Sequence, residues 1–147
     1  MIAVLQRVTS GSVIVNHQTI GEINHGLVIL LGIMIDDKEQ DSQFLTDKIS
    51  VLRIFNDEND KMNLSIKDVN GSALVISQFT LCADTRKGRR PSFIQAAPPE
   101  KGEALYEDFM KRLESKNIPV QCGKFGAMMN VKIDNDGPVT IVLNSKE

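Results

Sequence analysis

The sequence contains no tryptophan, one tyrosine, two histidines and two cysteines among its 147 residues. Neither Cys82 and Cys122 nor His17 and His25 recur at the short spacings that zinc ligands show, so we predict no metal site and no other cofactor. The cysteines are interpreted as buried free thiols. Both histidines lie beside turn residues, where an exposed side chain is the ordinary outcome. These scarcities argue against zinc enzymes and disulfide-stapled scaffolds.

Long hydrophobic runs are also missing. The longest, residues 26–35, has about ten residues and is too short to span a bilayer. The first eleven residues lack the pattern of a signal peptide, so we expect a cytoplasmic protein without membrane contact. The net charge of −2 provides no global attraction for nucleic acid, and any phosphate contact must come from a local cluster. Length and composition predict one globular domain over residues 1–147.

Periodicity predicts two amphipathic helices and seven or eight strands. One helix ends near residue 52, and the other opens with the prolines at 98 and 99. The sequence shows no βαβ alternation, which favours an α+β fold with a curved, barrel-like, antiparallel-rich sheet and two main helices packed against it. The clearest strands are predicted in a first hairpin with a turn at 16–18, in two buried runs at 26–35 and 72–81, and in three short segments at 120–122, 130–133 and 139–143.

A polar group of residues ends the second buried run. Ser77, Gln78 and Thr80 surround Phe79 where an apolar strand would ordinarily continue. Strand alternation predicts Ser77, Phe79 and Leu81 on one face and Gln78 and Thr80 on the other. The segment is either a strand emerging into solvent or the polar lining of a ligand cleft.

A basic loop follows directly. Arg86, Lys87, Arg89 and Arg90 lie within five residues, and Gly88 lets the backbone turn between them. A solvated loop is one interpretation. The other is a clamp for phosphate groups, because each neutralised phosphate adds affinity by counterion release. Beside a polar strand end, this loop indicates a phosphate-bearing substrate such as RNA.

The segment IDNDGPVT, residues 133–140, carries more turn signal than a hairpin needs. Four turn formers, residues 134–137, already precede Pro138. Either the Gly137-Pro138 pair is redundant, or its backbone has a function of its own.

Several blocks of the sequence resemble the signature of the D-aminoacyl-tRNA deacylase family, first known as D-Tyr-tRNA deacylases. The match runs end to end in colinear order. Its signature blocks are SQFTL at 77–81, ADTRKGRRPSF at 83–93, AAPP at 96–99 and NDGPVT at 135–140, and its framework blocks are QRV at 6–8, GLVILLG at 26–32 and KMNLS at 61–65.

The resemblance implies a homodimeric enzyme that hydrolyses the ester between a D-amino acid and the 3′-terminal adenosine of tRNA. Such an enzyme proofreads chirality in translation, and glycine, which has no side chain to exclude, passes as a substrate. The resemblance assigns catalysis to Ser77, Gln78, Phe79 and Thr80.

Further roles are implied by the same resemblance. A cis Gly137-Pro138 bond of one subunit enters the active site of the other. Our hypothesis is that two backbone carbonyls there capture the amino group and collide with an L side chain. Phe125 and Met129 surround the terminal adenine, and Arg7 holds the Gly-Pro loop.

Two mechanisms of hydrolysis remain open at this point. Thr80 is a possible nucleophile, but its motif contains no histidine, lysine or carboxylate to serve as a base. The alternative is attack by water, aided by the 2′-hydroxyl of the substrate ribose, with the N–H groups of Phe79 and Thr80 stabilising the oxyanion. We favour the second mechanism.

Three other functions compete with this one. A non-catalytic tRNA-binding module would use only the basic loop, although few aromatic residues are available for base stacking. A related deacylase would instead remove L-alanine or glycine from mischarged tRNA. A hydrolase of small esters or nucleotides would share the fold and would not need the basic loop.

Overall fold

A computed structural model describes residues 1–147, with eight strands, two α-helices and one 3-10 helix. Both α-helices lie where periodicity predicts them. The elements in chain order are β1 (Ile2–Val15), β2 (Gln18–Ile23), β3 (Gly26–Gly32), α1 (Glu39–Val51), β4 (Phe55–Asn56), β5 (Met62–Leu64), β6 (Ser72–Ser77), the 3-10 helix (Phe79–Cys82), α2 (Pro99–Ser115), β7 (Val120–Cys122) and β8 (Asn130–Asn144).

Strand β1 pairs with more of the sheet than any other strand. Its first half pairs with β3 and its second half with β2, both antiparallel. Its other flank pairs with β8 from Ile2 to Ile14. The β1–β2 hairpin turns at Asn16 and His17, both with positive φ, as a tight two-residue hairpin requires.

The prediction that βαβ alternation is absent is wrong. Strand β6 pairs in parallel with β3 and with β7, so α1 and α2 each lie in a crossover between parallel strands. The small β4–β5 hairpin lies between α1 and β6 in the sequence, so the β3–α1–β6 alternation is not recognisable there. The other predicted features are confirmed, because four of the six pairings are antiparallel and the barrel-like sheet carries two helices.

The last two predicted strands form one strand. Residues 130–133 and 139–143 both belong to β8, which bulges at residues 136–139 instead of turning back. The reason is the length of β1, whose fourteen residues provide partners for both segments in a single direction. The turn formers of this segment therefore form a bulge within β8 and not a hairpin turn between two strands.

Two apolar clusters fill the molecule. A cluster of twenty buried residues lies between the sheet and the helices and includes Leu5 and Ile29 of the sheet and Leu45 and Phe109 of the helices. A second cluster of six residues packs against the opposite face of the sheet. Neither helix has the length and apolarity that a membrane crossing needs.

Gly21 allows the sheet to come close to closing into a barrel. A Cβ atom at this position would lie 2.6 Å from the carbonyl oxygen of Cys122, so β2 approaches β7 more closely than any side chain permits. The approach places two backbones in contact without a shared ladder. The curvature of the barrel therefore depends on a missing side chain.

We expect Gly21→Ala to lower the free energy of unfolding by about 1–3 kcal/mol, because the added methyl group must push β2 away from the Cys122 carbonyl. Chemical denaturation measures this difference. The matched control is Glu22→Ala, which changes an exposed neighbour on the same strand and should alter stability by less than about 0.5 kcal/mol. Equal stability of the two variants would contradict the close approach.

Candidate active site

The polar segment after β6 is a turn and not a strand. Strand β6 ends at Ser77, and Phe79–Cys82 forms the 3-10 helix, so the predicted alternation of faces along 77–81 is wrong. The chain can leave the sheet here because Gly32 lacks a Cβ atom, which would lie 2.8 Å from the Cβ of Leu81. As a result, Phe79 and Thr80 both face solvent.

Neutral polar groups converge at this turn. The Gln78 side-chain amide donates to the Thr80 hydroxyl, which makes no other hydrogen bond. The N–H of Leu81 makes the first bond of the turn, to the Gln78 carbonyl at 3.2 Å. The N–H groups of Phe79 and Thr80 precede that bond, and no turn, loop or side-chain acceptor of the chain receives them. The turn therefore presents a hydroxyl together with two N–H groups that have no partner within the 3-10 helix.

Apolar surface borders these groups. The rings of Phe79 and Phe93 meet edge to face with centroids 5.0 Å apart. Phe79 is 57% exposed, and Ile94 beyond it is 77% exposed. An open cleft of about 360 Å³ continues along the chain from Leu81 to Arg86. A ligand at the turn would contact apolar rings on one side and donors on the other.

Phe125 and Met129 lie beside the same end of β6. The N–H of Gly123, just before Phe125, donates to the carbonyl of Val75, two residues before Ser77. The half-buried Phe125 ring packs against Tyr106, with centroids 5.8 Å apart. Gly102 makes room for it, because a Cβ there would lie 3.2 Å from the ring. Met129 lies beside Gly123, since a Cβ there would be 2.5 Å from the Met129 sulfur, so both residues lie at the edge of the sheet where the polar turn begins.

The basic loop is exposed, and one of its four cations is already paired. Arg86 donates to both carboxylate oxygens of Asp84, at 2.9 and 2.7 Å. These hydrogen bonds, with a further one from the Arg86 backbone, lower the pKa of Asp84 to about 2. Lys87, Arg89 and Arg90 form no salt bridge. These three are the cations left for an external anion.

Arg7 and the Gly137-Pro138 segment lie together, as the resemblance implies. The buried Arg7 guanidinium donates to the carbonyl of Asp136 at 3.3 Å and to that of Ile54 at 2.8 Å. A Cβ on Gly137 would lie 2.9 Å from Arg7 Nη2, and the φ of Gly137 is 119°, so glycine is required there. The Gly137–Pro138 peptide bond is cis, and both residues are exposed.

The structure does not bring this segment to the polar turn of its own chain. Ser77 pairs with Leu31 and Leu31 with Ala3, whereas the Gly-Pro bulge stands opposite Arg7. The two places are four residues, about 13 Å, apart along the strands and three strand spacings, about 14 Å, apart across the sheet. A single chain therefore carries two separate groups of predicted site residues.

Three contributors to the Gly-Pro segment were not predicted as site residues. Asn56 accepts a hydrogen bond from Arg7 at 3.1 Å, and Asp136 faces the same guanidinium at 3.3 Å. Asn135 bonds to the main chain on both sides of the bulge. The sequence marks Asn135 and Asp136 only as turn formers, and it carries no signal for Asn56, which lies in β4, far from them along the chain.

No three histidine, cysteine, aspartate or glutamate side chains cluster closely enough to hold a metal ion. The chemistry available is that of backbone donors, a hydroxyl, an amide and aromatic rings.

Comparison with known proteins decides the family. A family model described as D-Tyr-tRNA(Tyr) deacylase matches residues 4–144. This chain belongs to that family. It is 55% identical over 147 residues to the D-aminoacyl-tRNA deacylase of Thermotoga petrophila, covering 100% of this chain and 99% of the relative. It is 56% identical over 146 residues to that of Clostridium beijerinckii, covering 99% and 98%.

Solved structures share the fold of this chain. A structure titled c-Myc DNA Unwinding Element Binding Protein is 41% identical, with a TM-score of 0.92 and coverage of 98% of each chain. A probable eukaryotic D-amino acid tRNA deacylase is 16% identical with a TM-score of 0.84, which shows the shared fold alone. The resemblance drawn from the sequence is confirmed.

Proposed function

We propose that this chain hydrolyses the ester bond of D-aminoacyl-tRNA, releasing a free D-amino acid and tRNA, and so proofreads chirality in translation. The observation that carries the proposal is the end-to-end identity of about 55% to proteins named D-aminoacyl-tRNA deacylase. The exposed polar turn after β6 supplies groups suited to the reaction.

The turn supports hydrolysis without a side-chain nucleophile. The free N–H groups of Phe79 and Thr80 can donate to the oxygen that becomes negative as the ester carbonyl is attacked. The only hydrogen bond of the Thr80 hydroxyl is the one it accepts from the Gln78 amide, so no histidine, lysine or carboxylate is bonded to it as a base. Water, assisted by the 2′-hydroxyl of the terminal ribose, is therefore the attacking group in our proposal.

The terminal adenine would lie against Phe125 and Met129. Tyr106 supports the Phe125 ring from behind, and its hydroxyl donates to the Val75 carbonyl at 2.7 Å, which fixes this support to β6. A ring held in this way loses little freedom when a base stacks on it. The adenine would thus be placed beside the turn that faces the ester.

The Gly137-Pro138 segment would read the chirality of the substrate in a homodimer. It is exposed, and it lies far along the sheet from the polar turn of its own chain. A second copy could bring it to that turn, where its carbonyls would accept from the amino group and exclude an L side chain. Enantiomers carry the same groups, so discrimination needs such a repulsive element.

The basic loop would hold the tRNA backbone. Lys87, Arg89 and Arg90 are exposed and lack carboxylate partners. They follow the polar turn by fewer than fifteen residues, so phosphates close to the acceptor end would reach them. Their contribution would be electrostatic and independent of base sequence.

We expect the purified protein to release the amino acid from D-Tyr-tRNA at least about tenfold faster than from L-Tyr-tRNA, a difference of about 1.4 kcal/mol in the barrier. Gly-tRNA should also be cleaved, since glycine has no side chain to exclude. Release of labelled amino acid measures all three rates, and spontaneous hydrolysis without protein is the control.

Other results of that assay would contradict the proposal in distinct ways. Equal cleavage of the D and L forms would show that the site does not select the chirality of the amino acid. Preference for L-Ala-tRNA would indicate the related proofreading branch. Binding of tRNA without cleavage would indicate a non-catalytic module, and cleavage of small esters alone would indicate a general hydrolase.

We expect Thr80→Ala to retain D-Tyr-tRNA deacylation within about tenfold, because the oxyanion donors are backbone groups that the substitution keeps. Removal of a true nucleophile costs a hydrolase about 10⁶ in kcat. Single-turnover kinetics measures the rate, with Thr19→Ala on the exposed face of β2 as the matched control. A loss of several orders of magnitude would identify Thr80 as the nucleophile.

The double variant Arg89→Ala, Arg90→Ala should bind tRNA more weakly and reduce the slope of log affinity against log salt by about two. Filter binding at several salt concentrations measures the slope. The variant Lys61→Ala, Lys67→Ala removes the same charge from exposed positions on either side of β5 and should leave the slope nearly unchanged. If both double variants give the wild-type slope, the basic loop does not contact the tRNA.

A further inference from the structure

The Gly-Pro bulge is an unusually large departure from a strand ladder. Gln6 pairs with Thr140 and Val8 with Asn135, so the single residue Arg7 stands opposite the four residues 136–139. An ordinary bulge sets two residues against one. The extra length projects Gly137 and Pro138 outwards, and something must hold the two ends of the excursion together.

Asn135 closes the base of this bulge. Its side-chain amide donates one hydrogen bond to the carbonyl of Arg7 on β1, at 2.9 Å. It donates a second to the carbonyl of Val139, at 3.0 Å, at the far end of the excursion. A single side chain thus ties both ends of the bulge to each other and to the neighbouring strand.

A short chain of hydrogen bonds fixes the orientation of that amide. Gln6 donates to the Thr140 hydroxyl, and that hydroxyl donates to the side-chain carbonyl oxygen of Asn135. Both hydrogen bonds are 3.3 Å long. With its oxygen occupied in this way, the amide directs both hydrogens towards the main-chain carbonyls. The Arg7 contacts to Asp136, also 3.3 Å long, hold only the near end of the bulge.

We propose that Asn135 is a positioning residue that sets how far the Gly137-Pro138 segment projects, and thereby sets the preference for D over L substrates. The inference rests on the proposed function, in which that segment excludes the L side chain. Selection of this kind requires a fixed distance, since a displacement of about 1 Å can cost about 100-fold in rate. Asn135 supplies that constraint without touching the substrate.

The chemistry of the position favours asparagine over similar residues. Two donors on a short arm are needed to reach two carbonyls at once. Aspartate has the same shape but no donors when ionised, and its carboxylate would repel both carbonyls. Serine offers a single donor on a shorter arm, so it can satisfy at most one of them.

The test is the enantiomer preference of Asn135→Asp in the full-length protein. We expect kcat/KM for D-Tyr-tRNA to fall about 100-fold and the ratio of D to L cleavage to fall at least tenfold, with an unchanged circular dichroism spectrum. Asn117→Asp is the matched control, because it makes the same chemical change at an exposed residue after α2 whose side chain makes no hydrogen bond. This control should keep the wild-type ratio.

Each result decides the matter. If the rates for both enantiomers fall equally, Asn135 acts only on general stability and the proposal is overturned. An unchanged ratio with unchanged rates also overturns it. Should Asn135→Asp fold poorly, Asn135→Ser replaces it in the test. Serine keeps one of the two donors, and we again expect the ratio of D to L cleavage to fall. A wild-type protein that cleaves neither enantiomer would refute the proposed function itself, and this inference with it.

Discussion

The pairing of β1 with β8 is the constraint on which most of this structure depends. β1 joins β8 on one flank and β3 and β2 on the other, so every other strand of the main sheet is placed directly or indirectly by it. The register of this pairing also puts Arg7 opposite the Gly-Pro bulge. A slip of one residue would reverse the face of each β8 side chain and remove the guanidinium from the bulge.

The candidate site is built almost entirely from neutral groups. None of the four residues at the turn after β6 has a charged side chain, and the bulge presents main chain rather than side chains. The charged side chains lie only around it: Arg7 beneath the bulge, and the cations of the basic loop. A site of this kind depends on geometry more than on protonation.

The sequence predicts the helices, the buried strands and the family well, because apolar periodicity and motif order are local signals. It fails where long-range pairing overrides local preference. The turn formers before Pro138 favour a hairpin, yet the length of β1 holds residues 130–144 in one strand. The 3-10 turn at Phe79 depends on space left by Gly32, and the parallel pairing of β6 depends on two crossovers that no single window contains. Asn56 meets Arg7 only through tertiary folding.

The bulge has a further consequence for the behaviour of the chain at high concentration. β8 is fifteen residues long and has no partner on its outer flank, a form that normally invites edge-to-edge aggregation. Residues 136–139 interrupt that flank, Pro138 has no N–H to offer, and Lys132 and Asp134 add exposed charge. The excursion thus divides one long unpaired edge into two short ones, a form that is less suited to edge-to-edge pairing with other chains.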